Sequence, residues 1–236
     1  MVIVGETDTG KWDRGFHIAD STIVNLPVEY TGATAVFFGY VENATIEHNH
    51  MENMTYSAMT IGWGWGRTAC GRGNNHVLAN RIVNPLRARC CDGGEVYTLG
   101  PQPGSTIARN HLVNHGEFEG HGQSSYATRP NPLYHDNGSG GFTDKNNVIE
   151  GSWEHYCGEN APHGCASCKL HCPDSTGKEA DCGISVVDNW LFKSTFQEKE
   201  QCSATPGTSV TGTVNVTGGV LPPAAQAIVD AAGPRV

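Results

Sequence analysis

The chain has 236 residues, of which 38% are hydrophobic and 17% are charged, and its net charge is −9. This length accommodates one domain with a sizeable core or two small domains. The negative charge, without any cluster of Lys and Arg, argues against nucleic-acid binding through phosphate neutralisation. No apolar run is long enough to predict a membrane span. The 30 glycines and the low charge favour turn-rich β structure over helical bundles.

Five times along the chain, an apolar residue is followed by polar residues, an Asn and a second apolar residue. The Asn residues of this motif are Asn49, Asn80, Asn110, Asn146 and Asn189. Their intervals of roughly 30 to 43 residues predict a solenoid whose repeats carry loops of variable length. Stacked Asn side chains can hydrogen bond from one repeat to the next, although Asn is also a common turn residue.

Short β-rich segments lie within these repeats and are separated by Gly, Asn and Pro. Examples are residues 35–38, Met59–Ile61 and residues 96–99. Helical periodicity is weak, and three short strands per repeat predict an all-β fold, a right-handed parallel β-helix. We expect residues 1–236 to form one such domain, with a Cys-rich insertion at about residues 152–183.

Two acidic turns lie one repeat apart. Asp92 and Glu95 flank a Gly-Gly pair before residues 96–99, and Asp136 lies in the second turn. Adjacent strands in a stack are about 4.8 Å apart. The two carboxyl groups of glycosidases are about 5–5.5 Å apart in retaining enzymes and about 6.5–9.5 Å apart in inverting ones. Matching positions on adjacent repeats would make Asp92 and Asp136 such a catalytic pair, with Glu95 as the third candidate. The alternative is that these carboxylates only cap turns.

Aromatic residues near these turns are candidates for substrate binding. Trp63 and Trp65 alternate around a glycine on a predicted strand, so one of them is expected to face outward and stack on a sugar ring. Tyr97, Tyr134 and His135 lie beside the acidic turns and are the other predicted substrate-binding residues. Packing in the core is the alternative for either Trp.

The chain has nine cysteines, a number that favours disulfides and a secreted, extracellular protein. Disulfides are predicted among Cys157, Cys165, Cys168, Cys172, Cys182 and Cys202. Zinc is the alternative, but the single C-x-x-C motif lacks a second pair. Four N-x-Ser/Thr motifs predict glycosylation at Asn43, Asn53, Asn137 and Asn215.

No cofactor is predicted. Calcium is the alternative, with Asp136, Asn137, Ser139 and Asp144 as its candidate ligands. Their spacing does not match the calcium-binding loop of an EF-hand.

The two ends of the chain carry different predictions. Pro222 and Pro223 before an Ala-rich run, with Gly233-Pro234 after it, predict a short helix within a cap at residues 221–236. We expect this helix to cover the last repeat and to block strand pairing there. Residues 1–10 have no comparable pattern. We therefore predict that a second polypeptide covers the first repeat: an identical subunit in a homo-oligomer, a different partner, or an upstream portion of the same precursor.

Several of these motifs together resemble a known family. Residues 40–49, 61–66, 92–94 and 97–104 and the C-terminal sequence AQAIVDAAG are similar to secreted right-handed β-helix proteins related to glycoside hydrolase family 141, in the pectate-lyase-like superfamily. The resemblance covers most of residues 12–236. It implies a protein that cleaves plant-type polysaccharides with a carboxylate pair on adjacent repeats, here Asp92 and Asp136.

Two other functions remain open for the same scaffold. A polysaccharide lyase needs a base and a cationic group that stabilises a uronate carboxylate, and Arg81, Arg87 and Arg89 favour it. A structural or carbohydrate-binding glycoprotein without turnover is the second, favoured by the glycosylation motifs and the Cys-rich insertion. A polysaccharide or another glycan is the expected ligand of the enzymes and of the binding protein.

Overall fold

The computed structural model describes residues 2–5, 13–26, 32–63, 73–84, 93–114, 132–136, 138–151, 183–193 and 208–235. It also describes the backbone of strands at residues 153–155, 169–173, 179–181 and 196–198. Almost all of the regular structure in these residues is β, and most strands have only three residues.

Three large sheets contain most of the strands in the described residues, and every strand pair within them is parallel. The first sheet contains, in spatial order, β1 (Val2–Val4), β5 (Val36–Phe38), β9 (Met59–Ile61), β12 (Val96–Thr98) and β15 (Leu133–His135). The second contains β3 (His17–Ala19), β7 (Thr45–Glu47), β10 (His76–Leu78), β13 (Pro101–Ala108), β16 (Gly140–Lys145), β21 (Ser185–Val187) and β24 (Ser209–Thr211). The third contains β4 (Thr22–Val24), β8 (His50–Glu52), β11 (Arg81–Val83), β14 (His111–Val113), β17 (Val148–Glu150), β22 (Trp190–Phe192) and β25 (Val214–Val216).

Three two-stranded pairs complete the β structure of the described residues. Two are parallel: β2 (Asp13–Arg14) with β6 (Val41–Glu42), and β18 (Trp153–His155) with β23 (Phe196–Glu198). The third, β19 (Lys169–Pro173) with β20 (Glu179–Asp181), is antiparallel and lies within the predicted insertion.

The chain passes through the first, second and third sheets in that order and then returns to the first. Each passage adds one strand beside the strand of the previous passage, so we call one passage a repeat. This order fits an all-β parallel solenoid, and the predicted mostly β fold with parallel sheets and one short helix is confirmed.

Strand alternation decides which side chains enter the core. In the first sheet, the first and third residues of a strand point inward, as Val36 and Phe38 do, and the middle residue points outward. In the second and third sheets the middle residue points inward, as in Ile46 and Met51. Side chains from all three sheets meet in one hydrophobic core.

A ladder of Asn side chains marks the turns between the second and third sheets. The amide nitrogens of the first four ladder residues each donate to the amide oxygen of the next ladder residue at 3.0 Å, and that oxygen also accepts from a backbone N–H. The ladder residues are Asn49, Asn80, Asn110, Asn147 and Asn189. The predicted ladder is therefore confirmed at four positions, and Asn146 is corrected to Asn147. Asn146 instead occupies the preceding left-handed position, with φ of 54°.

The helix α1 (Pro223–Ala231) begins with proline in its first turn, as predicted. Within the described residues, no helix is long and apolar enough to cross a membrane.

The docking of this C-terminal segment differs from the prediction, because it lies along the side of the stack. The N–H of Gly233 donates to the carbonyl of Ala79, and its own carbonyl accepts from the His48 ring. The Arg235 guanidinium binds the Asp20 carboxylate of the first repeat at 2.7 and 2.9 Å, and these bonds lower the pKa of Asp20 to about 2. In the last repeat, Asn215 holds the inward position of β25 and is exposed, so this end of the stack is uncovered within the described residues.

The N-terminal end of the stack is also exposed within the described residues. Residues 2–4 pair with β5 as the first strand of the first sheet. Ile18 and Ile23 hold the inward positions of this repeat and are only half-buried, whereas Ile46 and Met51 in the next repeat are buried. Coverage of this end by a second chain stays a prediction.

Candidate active site

The two neighbouring strands β12 and β15 bring most of the predicted site residues together. Their register pairs Val96 with Leu133, Tyr97 with Tyr134, and Thr98 with His135. Because side chains alternate along a strand, Tyr97 and Tyr134 point outward, whereas Thr98 and His135 point inward. Asp136 follows β15 directly, and its side chain lies on the outer face with the tyrosines.

The outer face carries a hydrogen bond between Tyr97 and Asp136. The phenol of Tyr97 donates to Oδ2 of Asp136. The Tyr97 ring stacks on Tyr134 with a centroid distance of 5.5 Å and an interplanar angle of 19°, and Tyr56 lies 6.4 Å away on another side. Tyr97, Tyr134 and Asp136 are each only 7% exposed. Burial, followed by the negative charge of Asp136, raises the pKa of Tyr97, so its phenol keeps its proton.

The inner face carries a second polar network. Thr98 Oγ1 lies 2.8 Å from Nδ1 of His135 and 2.9 Å from Oγ of Ser139. His135 Nε2 lies 2.8 Å from Oδ2 of Asp144. The side chains of His135 and Asp144 are both fully buried. This Thr–His–Asp sequence of contacts resembles a catalytic triad, but its burial in the core separates it from any polymeric substrate.

Glu95 lies immediately before β12 and is fully buried. Neither of its carboxylate oxygens has a hydrogen-bond partner within the described residues. Burial raises the pKa of Glu95 to about 8, while its own backbone and the nearby Asn114 amide act weakly in the opposite direction. Glu95 is therefore a neutral acid at pH 7, and it has no direct access to a polysaccharide.

The strand register bears on the predicted carboxylate pair, which assumed that acidic residues hold matching positions on adjacent repeats. One residue beyond the Thr98–His135 pair, Asp136 is level with Leu99. Glu95 precedes the strand that Asp136 follows, which separates their backbones by roughly 13 Å along the strand direction. Glu95 and Asp136 therefore do not hold matching positions on adjacent repeats. Asp92 lies outside the described residues, so its pairing with Asp136 stays a prediction.

The predicted substrate-binding residues are divided between different environments. Trp63 is half-buried, and its ring makes an edge-to-face contact with the Phe37 ring, with a centroid distance of 5.4 Å. Tyr97 and Tyr134 are on the outer face but pack against each other. The full burial of His135 is inconsistent with contact with a sugar, so we correct that assignment. Trp65 lies outside the described residues.

The described residues that were predicted to bind calcium or to serve a lyase lie in different parts of the structure. Asp136 and Asp144 lie on opposite faces of the first sheet and bind Tyr97 and His135, so they do not form one calcium site. Within the described residues, no group of three His, Cys, Asp or Glu side chains is arranged to hold a metal ion. Arg81 lies on the third sheet, where its guanidinium contacts His50, and Arg87 and Arg89 fall outside the described residues.

The modification sites are tested only in part. Asn43 and Asn215 are exposed. The amide nitrogen of Asn53, which would carry a glycan, donates to Asn25 at 3.0 Å. Asn137 lies outside the described residues, as do the side chains of the six cysteines predicted to form disulfides.

The sequence analysis missed the inner network of Thr98, Ser139 and Asp144 as a unit. One signal for it exists in the repeats. Asp144 occupies the inward position that Ile107 and Val186 occupy in the neighbouring repeats. A carboxylate in an otherwise aliphatic column predicts a buried partner, because an unpaired buried charge is costly.

Comparisons with known proteins support the fold. No family model matches the chain, and no curated protein matches it. A solved structure described as a glycoside hydrolase matches with a TM-score of 0.61 and 22% sequence identity. The match covers 99% of this chain but 30% of that chain, so this chain spans less than a third of the matched protein. At this identity the similarity shows a shared fold.

Proposed function

We propose that this chain is a secreted carbohydrate-active protein that cleaves glycosidic bonds and folds as a right-handed parallel β-helix. The strand order supports the helix, because parallel strands are joined almost always by right-handed connections. The structural match to a glycoside hydrolase supports the activity. Family 141 and the pectate-lyase-like superfamily remain the proposed relatives.

The observation that carries the proposal is the Tyr97–Asp136 pair on the outer face of the first sheet. It places one carboxylate beside the aromatic cluster of Tyr56, Tyr97 and Tyr134. Hydrolysis needs two carboxyl groups: one acid protonates the leaving oxygen as the glycosidic C–O bond breaks. The other either attacks the anomeric carbon, with water later cleaving that intermediate, or removes a proton from the attacking water. We assign Asp136 to this pair, and Asp92 is its predicted partner.

The proposal is tested by reducing-end release from arabinoxylan, pectin and xyloglucan. We expect Asp136→Asn to lower kcat by about 10³-fold or more, without a change in folding. Asp188→Asn is the matched control, because Asp188 is exposed at a turn between the second and third sheets. Hydrolysis that survives Asp136→Asn would refute the assignment of Asp136.

A carbohydrate-binding protein without turnover is the second candidate. The low exposure of Asp136 favours it, because a polymer reaches a buried carboxylate with difficulty. In that case the same polysaccharides bind the protein without release of reducing ends. The lyase has less support, because Arg81 lies on the third sheet and Asp136 lies beside the first.

A further inference from the structure

We propose that Tyr97 is the positioning residue of the site: its phenol fixes the orientation of the Asp136 carboxylate and leaves Oδ1 as the oxygen that meets the substrate. This inference rests on the proposed function, and it replaces the predicted assignment of Tyr97 to substrate binding. Three observations support it.

First, the backbone of Asp136 is held on both sides. Its N–H donates to the carbonyl of Thr98 at 3.0 Å, and its carbonyl accepts from the N–H of Ser139 at 2.9 Å. The inner network then links the same two strands, through Thr98 and His135, directly behind this point. Only the side-chain torsions of Asp136 are left to be fixed.

Second, the phenol that fixes them is itself immobile. The Tyr97 ring is stacked on Tyr134 and flanked by Tyr56, and it packs in one cluster with Leu99. A ring with so little freedom loses little entropy when its hydroxyl binds a carboxylate, so the contact orients Asp136 efficiently.

Third, the direction of the hydrogen bond is defined. Burial and the Asp136 charge raise the pKa of Tyr97, so the proton stays on the phenol and Asp136 accepts it. Because Oδ2 already accepts this hydrogen bond, we assign the direct contact with the substrate to Oδ1. Asp136 then suits the nucleophile or general base of the reaction, and the proton donor is the second carboxyl group.

The decisive variant is Tyr97→Phe, which keeps the stacked ring and removes only the hydroxyl. Thr60→Val is its matched control, because Thr60 occupies the same outward column one repeat earlier. In a crystal structure of Tyr97→Phe, we expect the Asp136 carboxylate to rotate away from its original orientation while the backbone is unchanged. An unchanged carboxylate in that structure would overturn the proposal, whether or not the protein is an enzyme.

Kinetic measurements separate a positioning role from a purely structural one, because a purely structural role would leave kcat of the folded protein unchanged. With arabinoxylan, pectin or xyloglucan as the probe, whichever is cleaved, Tyr97→Phe should lower kcat about 10- to 100-fold and leave KM within about twofold. Equal kcat for wild type and Tyr97→Phe would contradict the proposal. If wild type cleaves none of the three, the proposed function fails, and the crystal structure still decides the role of Tyr97.

A second variant keeps the proposal testable if Tyr97→Phe does not fold. In a crystal structure of Asp136→Asn, we expect the amide oxygen to accept the Tyr97 phenol at the position that Oδ2 holds in wild type. An amide that turns away from the phenol would show that this contact does not fix the side chain, against the proposal.

Discussion

The two faces of the strand pair β12 and β15 both carry a hydroxyl group and a hydrogen-bonded carboxylate, but they differ in solvent access. On the outer face a tyrosine binds a carboxylate that retains some exposure. On the inner face a histidine binds a carboxylate that has none. Neighbouring residues of one strand, Tyr97 and Thr98, supply the hydroxyl groups on the two faces. The comparison teaches that solvent access, and not residue type, separates a candidate active site from a structural network here.

Glu95 sharpens this comparison because it is a buried carboxyl group whose oxygens have no hydrogen-bond partner of good geometry among the described residues, and it gives the largest expected effect. Its pKa is about 8 in the folded protein and 4.5 in the reference state. Between these values the unfolded chain loses the proton while the folded chain keeps it, so stability falls as pH rises through this window and then levels off. The loss is on the order of 5 kcal/mol. Glu95→Gln should remove this dependence.

Urea unfolding of wild type and Glu95→Gln between pH 4 and pH 9 measures this difference directly. The two free energies of unfolding should be most similar near pH 4 and should diverge as pH rises. Parallel curves across the range would show that Glu95 ionises normally in the folded protein.

The inner contact between His135 and Asp144 gives the next largest effect. Asp144→Val removes the carboxylate that hydrogen bonds to the buried His135 ring, which should lower the free energy of unfolding by about 3 kcal/mol. Ile107 and Val186 hold the equivalent inward positions, so valine fits the column. The double variant His135→Leu with Asp144→Val should recover most of the loss. Chemical denaturation of the three proteins tests this, and equal stability of wild type and the single variant would contradict it.

The repeat and the Asn ladder were predictable because they depend on local sequence. The ladder was misplaced by one residue at Asn146, since the left-handed position before the ladder also accepts Asn. The pairing of the acidic turns was not predictable. It depends on how many residues each loop uses before the next strand, and a count of 44 residues from Asp92 to Asp136 does not reveal that Asp136 is level with Leu99.

Alternation within one strand was available from sequence once the strand was located. In Leu133–His135 the middle residue points outward, so His135 belongs to the core and Asp136 to the outside. The docking of the C-terminal segment was out of reach, because Arg235 and Asp20 are 215 residues apart and no local pattern links them.

The smallest expected effects come from removing one hydroxyl group on each face of the strand pair. Thr98→Val removes the hydroxyl that contacts His135 Nδ1 and Ser139 Oγ in the core, at a cost of about 2–3 kcal/mol. Tyr97→Phe should cost less, about 1–2 kcal/mol, because the ring still stacks and the exposed 7% of Asp136 lets water replace the phenol. Activity should reverse this order: Tyr97→Phe loses turnover, whereas Thr98→Val keeps it wherever the protein is folded. Thermal unfolding and kcat on the same two samples provide the measurement. A Thr98→Val protein that is stable but inactive would mean that the inner face takes part in the reaction, and the separation of the two faces would fail.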